Sequence, residues 1–474
     1  MNNLDFINNV IKYSDSKVGN RILLNKMDKF LYKEVVTNRK PDKLLNVQQK
    51  KYEYVSAMLH RSLENVKKGY FSKEILNHIA NTLIKESFLK EDNKMKIAKD
   101  SFYERNNFHA PNFLVLSPSQ YCNLQCTGCY ANSSNRKSNT LPFEIVEKIC
   151  DEVINNFGVR FITISGGEPL LYKDENGKTI FDLFEKYNNI YFLMYTNGTL
   201  INKENAERLR ELKNVTPAIS VEGLEENTDN RRGKGVYKQI LKAFENLRNI
   251  GVPFGISVTA TSKNIDELLS DDFYKFYFDE QRVTYMWQFQ FLPIGRGNDT
   301  FEAMVTPEDR LKLYRVWEKQ LTENKYCIAD FWNSGMLTSG CIAYGGNNGY
   351  FYIDWNGNIM PCVFIPFSVD NVYDLYKNDK TIEDALKSDF MTRGREWQEK
   401  YKQDNSKGNM LMPCSFRDHY DHFYNNVRTD GIKGEDSIAE EIIKSKEYYD
   451  RLTNYDKELH ELTDPIWKDE YLKD

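Results

Sequence analysis

The 474-residue chain has no run of about 18 apolar residues, the length a membrane-spanning helix needs, and its mean hydropathy is −0.63. With 41% hydrophobic and 28% charged residues, it has the composition of a globular protein. The opening MNNLDFINN lacks a basic stretch followed by an apolar one, so no export signal is read there and a cytoplasmic location is expected. Cysteine is scarce, at eight residues, and a reducing compartment argues against a disulfide framework. No glycine-rich loop ends in a phosphate-binding lysine, and a net charge of −5 gives no footing for nucleic acid. Internal repeats and low-complexity stretches are missing too.

The charge that is present is uneven. Residues 1–110 hold 21 Lys and Arg against 13 Asp and Glu, a balance of +8, which leaves −13 for the remainder. Such a basic segment is either a solvated helix face or a surface for an anionic partner such as a membrane. It reads as helical: Leu23, Met27, Phe30 and Leu31 repeat at helical spacing, as do Val55, Leu59, Leu63 and Val66, with Pro41 between the two stretches. Residues 104–111 read as a linker.

From Asn112 the texture changes. Short apolar runs at 113–117, 160–165, 190–196, 217–221, 254–260 and 284–291 alternate with helical stretches at 142–156, 203–213 and 236–250. Strands apolar on both faces and separated by helices predict a parallel sheet with crossover helices. Six such units predict an α/β fold, a partial (βα)6 TIM-like barrel, with its chemistry on the loops after the strands. Length allows two or three domains. The expected division is a helical N-terminal domain (1–110), the barrel (111–305), and a C-terminal domain (306–474) that opens with a helix at 306–324. A hairpin around Trp355-Asn356-Gly357 follows, and from about Gly434 a charged, solvated helical tail is expected.

Three cysteines cluster. Cys122, Cys126 and Cys129 follow the first predicted strand and offer three thiolates from one short loop. Thiolates suit zinc and iron–sulfur clusters alike. A structural zinc site wants four ligands, and no fourth lies nearby, since the closest histidine, His109, is upstream of Pro111. That favours a cluster with one iron left open. Gly166 and Gly167, after the second strand, allow close approach of backbone to a ligand, and Pro169 stiffens the turn that Glu168 supports.

YCNLQCTGCY followed by ISGGEPLL resembles the radical S-adenosylmethionine (SAM) superfamily. The resemblance implies that Cys122, Cys126 and Cys129 hold a [4Fe–4S] cluster whose open iron takes SAM. It further implies SAM contacts at Gly166, Gly167, Glu168 and Pro169, ribose contacts at Thr196 and Asn197, and contacts near the SAM carboxylate at Ser220 and Arg232. An arginine fork suits a carboxylate. Two positions depart from the family pattern. Gly128 stands where an aromatic often precedes the third cysteine, leaving Tyr130 to cover the adenine, and Glu222 replaces the usual Asp.

Cys341, Gly357 and Cys362 resemble the opening of a SPASM or twitch extension, which implies one auxiliary iron–sulfur cluster on Cys341, Cys362 and Cys414. Its fourth ligand is left open among substrate, Asp418, His419 and Cys327. Cys150, in an apolar helix, reads as core. The aromatics Tyr350, Phe351, Tyr352, Trp355 and Phe364 read as hairpin core or, second, as cavity lining.

The resemblance implies an oxygen-sensitive, anaerobic enzyme that receives electrons from a flavodoxin or ferredoxin and breaks a C–H bond of a peptide or protein. A second reading directs the same chemistry at a membrane lipid or another hydrophobic small molecule, with residues 1–110 resting on the inner membrane face. A third makes the chain a non-catalytic iron–sulfur sensor or scaffold.

Overall fold

A computed structural model describes residues 17–85, 93–136, 138–346, 349–403 and 408–473; the opening MNNLDFINN lies outside them. The N-terminal region is helical, with α1 (Lys17–Tyr32), α2 (Leu45–Lys67), α3 (Lys73–Ile79) and α4 (Asn93–Asn106) and no strand among the described residues. Pro41 falls in the connection before α2. Helix α4 runs into the expected linker, because Arg105 reaches Glu383 with two bonds of 3.2 and 2.7 Å and so anchors its last turn.

The six barrel strands fall where the apolar runs predict them: β1 (Phe113–Leu116), β2 (Phe161–Ile164), β3 (Tyr191–Thr196), β4 (Val215–Val221), β5 (Gly255–Ala260) and β6 (Met286–Gln290). All pair in parallel in sequential order. Between them lie α5 (Phe143–Phe157), α6 (Ile180–Lys186), α7 (Lys203–Leu212), α8 (Glu225–Arg232) and α9 (Val236–Ile250). Helix α5 buries Phe143, Val146, Ile149, Cys150, Val153, Ile154 and Phe157, a stripe at spacings of three and four that fixes its inner face. Cys150 is core, as expected.

Strand residues alternate. Leu114, Leu116, Ile162, Ile164, Phe192 and Met194 are fully buried under the helices, while Phe113, Val115, Phe161, Thr163, Leu193 and Tyr195 face a central cavity.

The sheet does not stop at six strands. After α10 (Pro307–Thr322), β7 (Ile328–Asp330) pairs in parallel with β6, and at the opposite edge β8 (Tyr350–Ile353) pairs in parallel with β1. Strand β9 (Asn358–Met360) turns back antiparallel on β8 around Trp355-Asn356-Gly357. The barrel stays open, since β7 and β8 do not pair with each other.

After α11 (Asp389–Gln403), the last helix, α12 (Lys446–Glu470), corrects the expectation of a solvated tail. It buries Tyr448, Leu452, Thr453, Asp456, Leu459, Thr463 and Trp467. Apart from the adjacent pair Leu452 and Thr453, successive positions are three or four residues apart and lie on one face, so the charges between them hid an amphipathic helix. Among the described residues, no helix is long and apolar enough to cross a membrane.

Candidate active site

The cavity holds about 670 Å³ inside the barrel. It runs from the loops after the strands down to their first residues, where Lys51, Tyr54 and Val55 of α2 close it. Its lining is mainly aromatic and aliphatic, including Trp287, Phe289, Phe331 and Trp332.

Of the fifteen site residues predicted, thirteen line this one cavity: Cys122, Cys126, Cys129, Tyr130, Gly166, Gly167, Thr196, Asn197, Ser220, Arg232, Cys341, Cys362 and Cys414. Glu168 and Pro169 do not; they stand behind it. Glu168 is 1% exposed and ties two strand-end turns together. Its carboxylate accepts from Leu170 N at 3.2 Å, from Thr196 Oγ1 at 2.8 Å and from Asn197 N at 2.8 Å. Burial raises its pKa, and those three donors hold the rise in check.

Glycine is required in the turn by the chain's own packing as well. A Cβ on Gly167 would lie 2.1 Å from Tyr121 O, so the space is filled by the chain's own cysteine loop. The turn and the loop are joined by backbone bonds, Gly167 N to Ser119 O at 2.9 Å and Glu168 N to Tyr121 O at 2.8 Å.

The cysteine loop itself is ringed by polar groups. Asn197 Nδ2 lies 3.8 Å from Cys122 Sγ and Arg232 Nη1 lies 3.9 Å from Cys126 Sγ. Leu124 N donates to Cys122 Sγ at 3.4 Å. Burial pushes the Cys122 thiol up to about 12; Cys126 is also raised by burial, with Arg232 pulling it back. Glu222, buried at the end of β4, holds Arg231 and Arg232 at 2.5 Å each, so the Glu in place of Asp is an ion-pair anchor. Arg231 also donates from Nε to Thr127 O at 3.1 Å. Ser220 Oγ meets Ser257 Oγ at 3.1 Å, and Tyr130 OH meets Ser165 Oγ at 2.7 Å. The place of an aromatic at position 128 is taken by Phe291: its ring edge is 2.6 Å from where a Gly128 Cβ would stand.

The second trio comes from three separate segments. Cys362 Sγ meets Tyr350 OH at 2.8 Å and Phe364 N at 3.4 Å, and burial pushes its thiol up to about 12. Cys414 is buried and its thiol is raised well above its ordinary value, by burial first and then by Asp418 and the other two thiols. The segment carrying it is pinned by Arg310, which meets Asp418 at 2.5 and 3.2 Å and donates to Trp332 O and Leu411 O at 3.1 and 2.8 Å. Asp418 also accepts from Cys414 N at 3.1 Å. None of the three side chains considered as a fourth ligand lines the cavity. Asp418 is committed to Arg310, His419 Nε2 meets Met412 O at 2.9 Å, and Cys327 is buried beneath β7. Of the aromatic set, Tyr350 and Phe364 line the cavity, whereas Phe351, Tyr352 and Trp355 are core.

The donor set fits the implied groups. All six thiols of the two trios line the one cavity. Arg232 Nε, Ser133 Oγ and Gln290 Oε1 line the cavity, are buried and have no hydrogen-bond partner, leaving donors and acceptors for a polar ligand. Two arginines at the site escaped sequence reasoning. Arg231 was masked by its neighbour Arg232, and Arg296 sits in PIGRG after β6, a strand-end position that is its only signal.

Residues 116–270 match the family model described as the radical SAM superfamily. An uncharacterized protein of Methanocaldococcus jannaschii is 30% identical over 233 residues, covering 47% of this chain and 79% of that protein. The chain belongs to the radical SAM superfamily, and as a member it is an iron–sulfur enzyme that binds SAM.

Among further relatives, an AdoMet-dependent heme synthase of Methanosarcina barkeri is 26% identical over 294 residues (56% of this chain, 80% of the relative). A cysteine-type anaerobic sulfatase-maturating enzyme of Clostridium novyi is 25% identical over 303 residues (58% and 79%). In fold, the chain is similar to Streptococcus suis SuiB bound to its precursor peptide SuiA, with a TM-score of 0.53 at 18% identity (77% and 89% covered).

Proposed function

We propose that Cys122, Cys126 and Cys129 hold the [4Fe–4S] cluster, that Cys341, Cys362 and Cys414 hold one auxiliary iron–sulfur cluster, and that the substrate is a peptide or protein. The observation that carries this is the convergence of both thiol trios and the strand-end residues on one cavity. When bound, the cluster and SAM supply a 5′-deoxyadenosyl radical that takes hydrogen from a substrate C–H bond.

The chain's own residues prepare the room for that chemistry. Arg232, neutralised by Glu222 on one side, keeps Nε free for an anionic group such as a carboxylate. Glu168 fixes the turn bearing Thr196 and Asn197, so their cavity-facing groups stay in register with the cysteine loop. The aromatic walls exclude water, which protects a reactive species from side reactions. Of the three domains, 1–110 lines the cavity through α2, 111–305 carries the first cysteine set, and 306–474 carries the second and adds β7 and β8 to the sheet. A flavodoxin or ferredoxin supplies the electron.

The sulfatase-maturating relative supports a protein substrate. The apolar lining, together with the heme synthase relative, favours one alternative for the substrate alone, a hydrophobic small molecule. Anaerobic reconstitution tests the cofactor reading. Wild type should bind about eight irons and the Cys122/Cys126/Cys129→Ala variant about four, with 5′-deoxyadenosine formed from SAM and dithionite only by wild type. Four irons falling to none would remove the auxiliary cluster; an unchanged count would remove the assignment of the first trio.

A further inference from the structure

We propose that Arg296 is a positioning residue that clasps the cysteine loop from the end of the sixth strand and slows loss of the group held there. The proposal rests on the reading that Cys122, Cys126 and Cys129 hold the iron–sulfur cluster.

Arg296 makes three bonds to one loop. Its backbone N–H donates to Cys129 O at 3.0 Å, its Nη1 to Cys126 O at 2.7 Å, and its Nη2 to Ser133 O. Two of those acceptors are the carbonyl groups of cysteines in the trio. A guanidinium presents donors in a fixed planar fork, so one side chain can bridge carbonyls seven residues apart; a lysine has one compact donor head and cannot span both.

The loop is gripped from its other side as well. Thr127 N donates to Arg231 O at 3.0 Å, and Arg231 Nε returns a bond to Thr127 O at 3.1 Å. Arg231 has its charge committed to Glu222. Arg296 is spent on backbone carbonyls instead, which makes it a geometric brace.

The consequence concerns how a cluster leaves. From Cys126 to Ser133 the loop has no helix or strand, and internally it has the bond from Asn132 N to Cys129 O at 3.1 Å. Ordering such a loop costs backbone entropy at every residue. A loop ordered in advance recaptures a thiolate that has let go, because the ligand has nowhere else to go. A loop that frays does not.

The test is made on anaerobically reconstituted holoprotein. Iron release into excess EDTA is followed for wild type, Arg296→Met, Arg296→Lys and the Cys122/Cys126/Cys129→Ala variant. The release phase missing from the cysteine variant belongs to the first trio. Arg296→Met should speed that phase by about tenfold, the effect of losing one or two charge-assisted hydrogen bonds, and leave the other phase unchanged. Arg296→Lys should fall between. Release within twofold of wild type overturns the proposal, and so does an equal speeding of both phases with a lowered melting temperature, which marks a brace of the whole fold. Should Arg296→Met fail to fold, Arg296→Lys decides, since faster release supports the clasp and wild-type release overturns it. A cysteine variant that lacks no phase overturns instead the assignment of the trio on which the proposal rests.

Discussion

The two cysteine trios face one cavity and are built in opposite ways. The first comes from eight consecutive residues, with Cys126 and Cys129 partly exposed and arginines on either side. The second is gathered from positions 341, 362 and 414, and it exists only once the C-terminal region has folded onto the barrel. A local trio needs its loop held still; an assembled trio needs the fold itself. Stability and chemistry should therefore separate at the first and coincide at the second.

Arg310→Met is the strongest way to break the comparison. It leaves Asp418 buried without its cation, beside the backbone of Cys414, at a cost of about 3–5 kcal/mol. Chemical denaturation of the apoprotein should show that loss, and reconstituted protein should lose the iron of the second trio while keeping that of the first.

Glu168→Ala should act on the other side. Removing the carboxylate strands the donors of Leu170, Thr196 and Asn197 in a buried place, for about 2–4 kcal/mol in total. SAM binding measured by equilibrium dialysis should weaken, because the turn bearing Thr196 and Asn197 loses its tie.

The mildest probe sharpens the local character of the first trio. Gly128→Ala puts a Cβ 2.6 Å from the Phe291 ring at a φ of +65°, which should cost about 1–2 kcal/mol. The melting temperature should fall slightly while the iron of the second trio is unchanged.

What could be read from the sequence follows the same division. The six barrel strands, their helices and the cysteine loop announce themselves by periodicity and spacing within short windows, and thirteen residues, most of them supplied by the family resemblance, meet at one cavity. The hairpin of β8 and β9 was legible at its turn, but β7 and the pairing of β8 with β1 were not, because the partners are remote: Ile328 pairs with Met286, and Tyr350 with Phe113. Arg296 escaped for a related reason. Its acceptors lie 163 and 170 residues earlier, so no local motif could connect them. Helix α12 was misread because its buried face is diluted by charge.

Helix α2 lines the chamber through Lys51, Tyr54 and Val55. The size of the chamber is thus set in part by a helix outside the sheet. Trimming or enlarging the side chain at Tyr54 should change the size of guest the chamber admits. Selectivity for guest size and the reaction itself are housed in separate stretches of chain, and each can drift without dragging the other along.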